Sequence, residues 1–161
     1  MSERNEIRGL NACFVSGALT ATGAVSTYDT TVAIVHCING KLLSKATVAV
    51  GTTPTTEPVN SVAFTTLTAN KGCTMVWCLN ASGTVGVFQG PLATLIAGTF
   101  SDPEAPQFPA IPDAWVPFAY QVLKAGATAG TITFGTSLWN ATGFTNAIVN
   151  VATLPDRPQT A

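Results

Sequence analysis

No window of a dozen residues in this chain carries a capped helical period; short runs of Thr, Val, Ile, Ala and Phe are cut instead by Gly, Asn and Pro. Chain segmented in this way satisfies its backbone by pairing strands, so the expected class is all-β. The clearest unit is Thr31 to Ile38, then Asn39-Gly40, then Lys41 to Val50. Asn-Gly tolerates the two positive φ angles of a type I′ turn, which predicts a hairpin. A second hairpin is read at Cys73 to Asn80 and Thr84 to Gln89, turning over Ala81-Ser82-Gly83, with one face of the first strand in the core. Further strands are expected at 12–19, 61–68, 115–124, 130–134 and 146–153. The total of eight or nine fits a single-domain β-sandwich of jelly-roll type.

The organisation follows from the punctuation. Residues 1–11 read as a polar N-terminal arm, 12–154 as the sandwich and 155–161 as a tail whose Pro155 and Pro158 exclude it from a strand interior. Five prolines between Asp102 and Pro117 mark an extended connection or a boundary between two halves, and Gly51 to Pro58 reads as an exposed loop. The opening residues lack the apolar run of a secretory signal.

Charge then narrows the function. Asp, Glu, Lys and Arg make up 9% of the 161 residues, against about 25% in ordinary soluble domains. With 47% hydrophobic residues, the exterior must be largely Thr, Ser, Asn, Ala and Gly, a surface suited to meeting other protein surfaces. A stable monomer with a Thr-rich exterior is the alternative. A net charge of −1 offers no surplus of cations for phosphates, so nucleic acid is not an expected partner. The uncharged segments 72–101 and 125–155 are too interrupted to cross a membrane as helices.

Chemistry is sparse. The single histidine, His36, sits in an apolar run and reads as a strand residue, and Cys13, Cys37, Cys73 and Cys78 read as buried thiols, with disulfides as the alternative. No zinc spacing, phosphate loop or nucleophile elbow occurs, and Asp29, Glu57, Asp102, Glu104, Asp113 and Asp156 stand beside turn formers. Neither an enzyme nor a cofactor is expected. Asn80 and Asn140 match glycosylation sequons but read as turn residues. Trp115, Phe118, Trp139 and Phe144 read as core aromatics or as anchors of an interface or sugar platform. With Ile7 and Leu10 of the arm they form the candidate interface set.

Two stretches carry a resemblance: Phe64 to Gly90, and Phe108 to Lys124 continued in Thr133 to Gly143. Their rhythm of strand, turn and strand with aromatic and proline landmarks resembles the surface proteins of tailed-bacteriophage virions, in particular head decoration (cement) and head-fibre proteins. The likeness covers about half of the chain and includes no catalytic signature. It implies a small sandwich made in the bacterial cytoplasm and carried on the capsid. There it would oligomerise, as a trimer or alternatively a dimer, and clamp neighbouring major capsid subunits, with the arm or tail reaching a neighbour. Unlike head-fibre relatives, the sequence carries no collagen-like or coiled-coil stalk, which favours a compact cap. The rival expectation is a tail-fibre or receptor-binding module that holds host surface glycan on its aromatic residues.

Overall fold

The structure is a computed structural model that describes residues 11–159. It is all-β, a single-domain β-sandwich with no helix among the described residues. The strands are β1 (Ala12–Ser16), β2 (Leu19–Thr20), β3 (Thr27–Thr30), β4 (Ile34–Ile38), β5 (Lys41–Lys45), β6 (Val48–Thr52), β7 (Lys71–Asn80), β8 (Val85–Gln89), β9 (Ala93–Ile96), β10 (Thr99–Phe100), β11 (Trp115–Ala125) and β12 (Phe144–Asn150). The largest sheet has the order β10-β9-β7-β11-β12, with β8 also on β7; two three-stranded sheets, β1-β4-β5 and β2-β3-β6, complete the fold.

The spine is the antiparallel pair β7 and β11, in register from Lys71 opposite Ala125 to Asn80 opposite Trp115. The register shifts once, at Pro117 to Ala119. Proline has no N–H for a ladder, so a bulge is where a paired strand accommodates it. The shift exchanges the faces of β11: Val116, Phe118, Leu123 and Ala125 face the main core, while Trp115, Tyr120 and Val122 face a second. One buried face was expected for β7, but every residue from Gly72 to Leu79 is buried. The reason is that both sides of this sheet are covered.

On one side the two small sheets close over Met75, Trp77, Leu79, Phe118 and Leu123. Rings join the layers: Tyr28 of β3 lies 5.0 Å from Trp77, Trp77 5.8 Å from Phe134, and Phe134 5.6 Å from Trp139. The β2-β3-β6 sheet is tied to β12 by side-chain amides. Asn150 Oδ1 accepts from Leu19 N at 2.7 Å, its Nδ2 donates to Leu19 O at 3.4 Å, and Asn146 Nδ2 donates to Ala21 O at 3.2 Å. A carboxamide here takes the place of a neighbouring peptide group.

On the other side the proline-rich stretch is a cover, where the sequence suggested a connection or boundary. Phe108, Ile111 and Trp115, together with Val151 and Leu154, pack over Val76, Phe88, Tyr120 and Val122. Gln159 N donates to the Tyr120 hydroxyl at 3.0 Å, and Arg157 hydrogen-bonds to Pro103 O. The described part of the tail is therefore held on its own domain. The segments expected as strands at 61–68 and 130–134 make only isolated bridges, Thr56 with Ala63 and Leu67 with Ile132. Their anchors, Phe64, Leu67, Ile132 and Phe134, are core residues of loops. The run 41–50 breaks at Ala46-Thr47, sending β5 and β6 to different sheets. With two expected strands found as loops, the 41–50 run split in two, and β2, β3, β9 and β10 not expected, the fold has twelve strands among the described residues where eight or nine were expected.

The Asn39-Gly40 hairpin forms as expected, with φ of 51° and 75° and Ile38 opposite Lys41. Ala97-Gly98 makes the same kind of turn between β9 and β10, with φ of 50° and 78° and Ile96 opposite Thr99. Alanine gains no local hydrogen bond there to offset its Cβ clash, unlike asparagine. Ala97→Asn is expected to raise stability, and Asn39→Ala to lower it, each by about 1 kcal/mol in urea unfolding.

Candidate interaction surface

The residues expected at an interface separate by burial. Phe118, Trp139 and Phe144 are 0%, 5% and 8% exposed, so they are core and unavailable to a partner. Trp139 plugs the sandwich beneath β3: its Nε1 donates to Thr27 O at 2.7 Å, and its backbone N donates to Val25 O at 3.0 Å. Trp115 is half-buried, edge-on to Phe88 at 5.7 Å. A Cβ at Gly86 would lie 2.6 Å from its ring, so only glycine lets the indole sit down on β8. Ile7 and Leu10 lie outside the described residues. Alternation correctly marked the aromatic positions as important, but it could not show that both faces of β11 are covered.

Exposed apolar residues occur at several places, Val50 and Ile96 among them, and three of them, Phe14, Val15 and Leu42, belong to β1-β4-β5. Residues directly opposite one another share a face. His36 is paired with Cys13 and Leu43, and Ile34 with Ser16 and Lys45, so these rows face inward with the core residues Ile34 and Ile38. The outward rows are Ala12, Cys37 and Leu42, then Val15, Val35 and Ser44. Phe14 stands at the bulge between Cys13 and Val15. Leu42 is 66% exposed, Phe14 52% and Val15 39%, and no charged residue occurs in these rows. Lys45 belongs to the inward row, its stem near the Gly83 turn. Sequence reasoning missed this face. The available signal was that Val35 and Cys37 alternate with Ile34 and Ile38, so that both faces of this strand carry apolar residues.

The ionisable groups are structural in their setting. His36, buried on β4, has its Nε2 3.4 Å from Asn80 O, while Nδ1 has no hydrogen-bond partner among the described residues. Burial lowers its pKa by desolvating the protonated ring, an effect partly offset by the backbone groups of Asn80 and Ile34. The four cysteines are buried free thiols. Desolvation pushes Cys73 up to about 12 and also raises Cys78 and Cys13. Asn80 is a turn residue, its Oδ1 accepting from Ser82 N, Ser82 Oγ and Thr84 N at 2.9 to 3.0 Å. One association was not legible in the sequence: Glu104, Asp156 and Arg157 line an open groove of about 460 Å³ between the proline-rich cover and the tail. No group of three or more His, Cys, Asp or Glu that could hold a metal ion occurs among the described residues.

No family model, curated protein or solved structure matches the chain. The functional reading therefore rests on the residues themselves.

Two measurements check this site. Because folding depresses the His36 pKa, its contribution to stability is complete above the unfolded value of about 6.5. That contribution is lost as pH falls through 6.5 toward the lower native value. Urea midpoints of the wild type should drop over this range more than those of His36→Gln. At mildly alkaline pH, a thiol reagent should leave Cys73 and Cys78 unmodified in the native protein and label all four cysteines after unfolding.

Proposed function

We propose that the protein is a non-enzymatic structural component of a virion, a decoration protein that binds the outer surface of an assembled phage capsid. In this reading it clamps neighbouring major capsid subunits, and does so as an oligomer. The observation that carries the proposal is the uncharged outer face of β1-β4-β5, where Phe14, Val15 and Leu42 stand exposed in a chain only 9% charged. Covering such a face contributes about 25 cal/mol for each Å² of apolar surface removed from water, before the costs of association. A shell supplies many identical sites close together, so a modest contact per copy suffices once copies are linked. The virion-surface resemblance of Phe64 to Gly90, Phe108 to Lys124 and Thr133 to Gly143 supports a phage capsid as the shell. Glycan recognition is the weaker reading, because Phe118, Trp139 and Phe144 are buried and only Trp115 of the candidate aromatic residues is partly exposed.

The experiment is co-sedimentation of the purified protein with emptied phage shells. Wild-type protein should pellet in stoichiometric amounts. Leu42→Glu, which changes a residue exposed in the protomer, should remain in the supernatant with its circular dichroism unchanged. A wild-type protein that ignores shells but binds host polysaccharide would contradict the proposal.

A further inference from the structure

Every sheet has edges, and an unpaired edge strand is a template for another chain unless something blunts it. Most edges in this fold are blunted. β2 and β10 are two residues long, and β1 carries a bulge between Cys13 and Val15. β5 carries Lys41 and Lys45. β6 is bulged opposite Asp29, with Val50 held at φ 55° and its N–H donating to Asp29 Oδ1 at 2.5 Å. Beside β8, the Gln89 side chain holds both the N–H and the carbonyl of Thr65, and Pro58 lies against Gly86.

β12 has no bulge, proline or charge, and its one tie of the Gln89 kind, Asn150 to the N–H and carbonyl of Leu19, is made from its inward face. Phe144-Thr-Asn-Ala-Ile-Val-Asn150 is seven residues long, regular against Ala119–Ala125, and free of charge, proline and glycine. It pairs with β11 alone among the described residues. Its inward amides, Asn146 and Asn150, are committed to Ala21 and Leu19, but those bonds leave its outer backbone edge without a strand. The surrounding span 125–155 contains no charged residue, so a second copy would approach without like-charge repulsion.

We propose that β12 is the pairing edge for a second copy of this chain, antiparallel about a two-fold axis through Ala147. An isologous contact requires a surface that matches itself, and antiparallel pairing of one strand with its copy meets that condition. Centring on Ala147, the middle residue, uses the whole strand. It sets Thr145 opposite Val149 and Asn146 opposite Ile148, so that inward residues meet inward residues; a slip of one residue would reverse this. The inference goes beyond the proposed function, because it holds for any assembly the chain enters. A dimer that failed to bind shells would leave it standing.

The test is sedimentation velocity of the full-length protein over a range of concentrations. Wild type should form a dimer. Ala147→Lys places two lysines on Cβ atoms about 5 Å apart across the axis and should weaken the dimer at least about 100-fold. Ala147→Glu should do the same, and an equimolar mixture of the two variants should dimerise again. The half-buried position of Ala147 in one copy leaves room for either side chain to reach solvent. Should the charged variants fail to fold, oxidation of Ala147→Cys provides a second readout, since it should give a disulfide-linked dimer while the native thiols stay buried. A monomeric wild type, an oligomer that survives Ala147→Lys, or the absence of cross-linked Ala147→Cys dimer would overturn the proposal.

Discussion

The antiparallel ladder between β7 and β11 is the constraint on which the rest of this structure depends, because its two faces are buried and each must be covered separately. A strand buried on one face needs one packed layer; one buried on both needs two. The chain supplies them from different kinds of structure. The inner layer is made of two small sheets and the rings of Tyr28, Phe134 and Trp139, and the outer one of proline-rich chain and the C-terminal residues through Leu154. The bulge at Pro117 makes the arrangement consistent, since it allows Trp115 and Tyr120 to face the outer cover while Phe118 faces inward. The interior is not wholly apolar. Gln121 Oε1 accepts from Trp77 Nε1 at 3.2 Å inside this ladder, a polar tie that fixes one register between two strands.

Covering the spine twice consumes most of the apolar sequence and leaves the margins of the fold less well covered. The β1-β4-β5 sheet packs its inner rows on the spine, and among the described residues no further sheet covers the exposed Val15 and Leu42. Among the described residues β12, at the end of the main sheet, has a strand on one side only. In a highly charged protein such margins would carry Lys and Glu. Here, apart from Lys41 and Lys45 on β5, they carry uncharged residues, which connects the low charge of the sequence to specific positions. The proposal of an assembly protein rests on that distribution.

Much of the fold was legible from the residues, and the exceptions have physical causes. Asn39-Gly40 marked its hairpin because few other pairs accept two positive φ angles, and the turn after Asn80 was marked by short polar residues that its own side chain binds. The loops around Leu67 and Ile132 were read as strands because their apolar residues alternate like those of a strand. Their burial comes from plugging the sandwich, which leaves their backbones with single bridges. The prolines from 103 to 117 were read as a connection because proline cannot extend a ladder. Nothing local reveals that Phe108 among them lies 5.1 Å from the ring of Tyr120. For the site, residue type identified the aromatic anchors but not their direction, so Phe118, Trp139 and Phe144 proved to be core. The exposed Leu42 and Phe14 passed as ordinary strand residues.

The central claim is that the doubly covered β7–β11 pair is the last part of the molecule to open, and native-state hydrogen exchange tests it most directly. The account predicts that the slowest amides lie in 73–79 and 119–124, exchanging only through global unfolding. Amides of β5 and β6 should exchange earlier, through local opening. If the central amides of β7 and β11 exchanged as fast as those of β5, the spine would not be the element that the other layers depend on, and the account would fail.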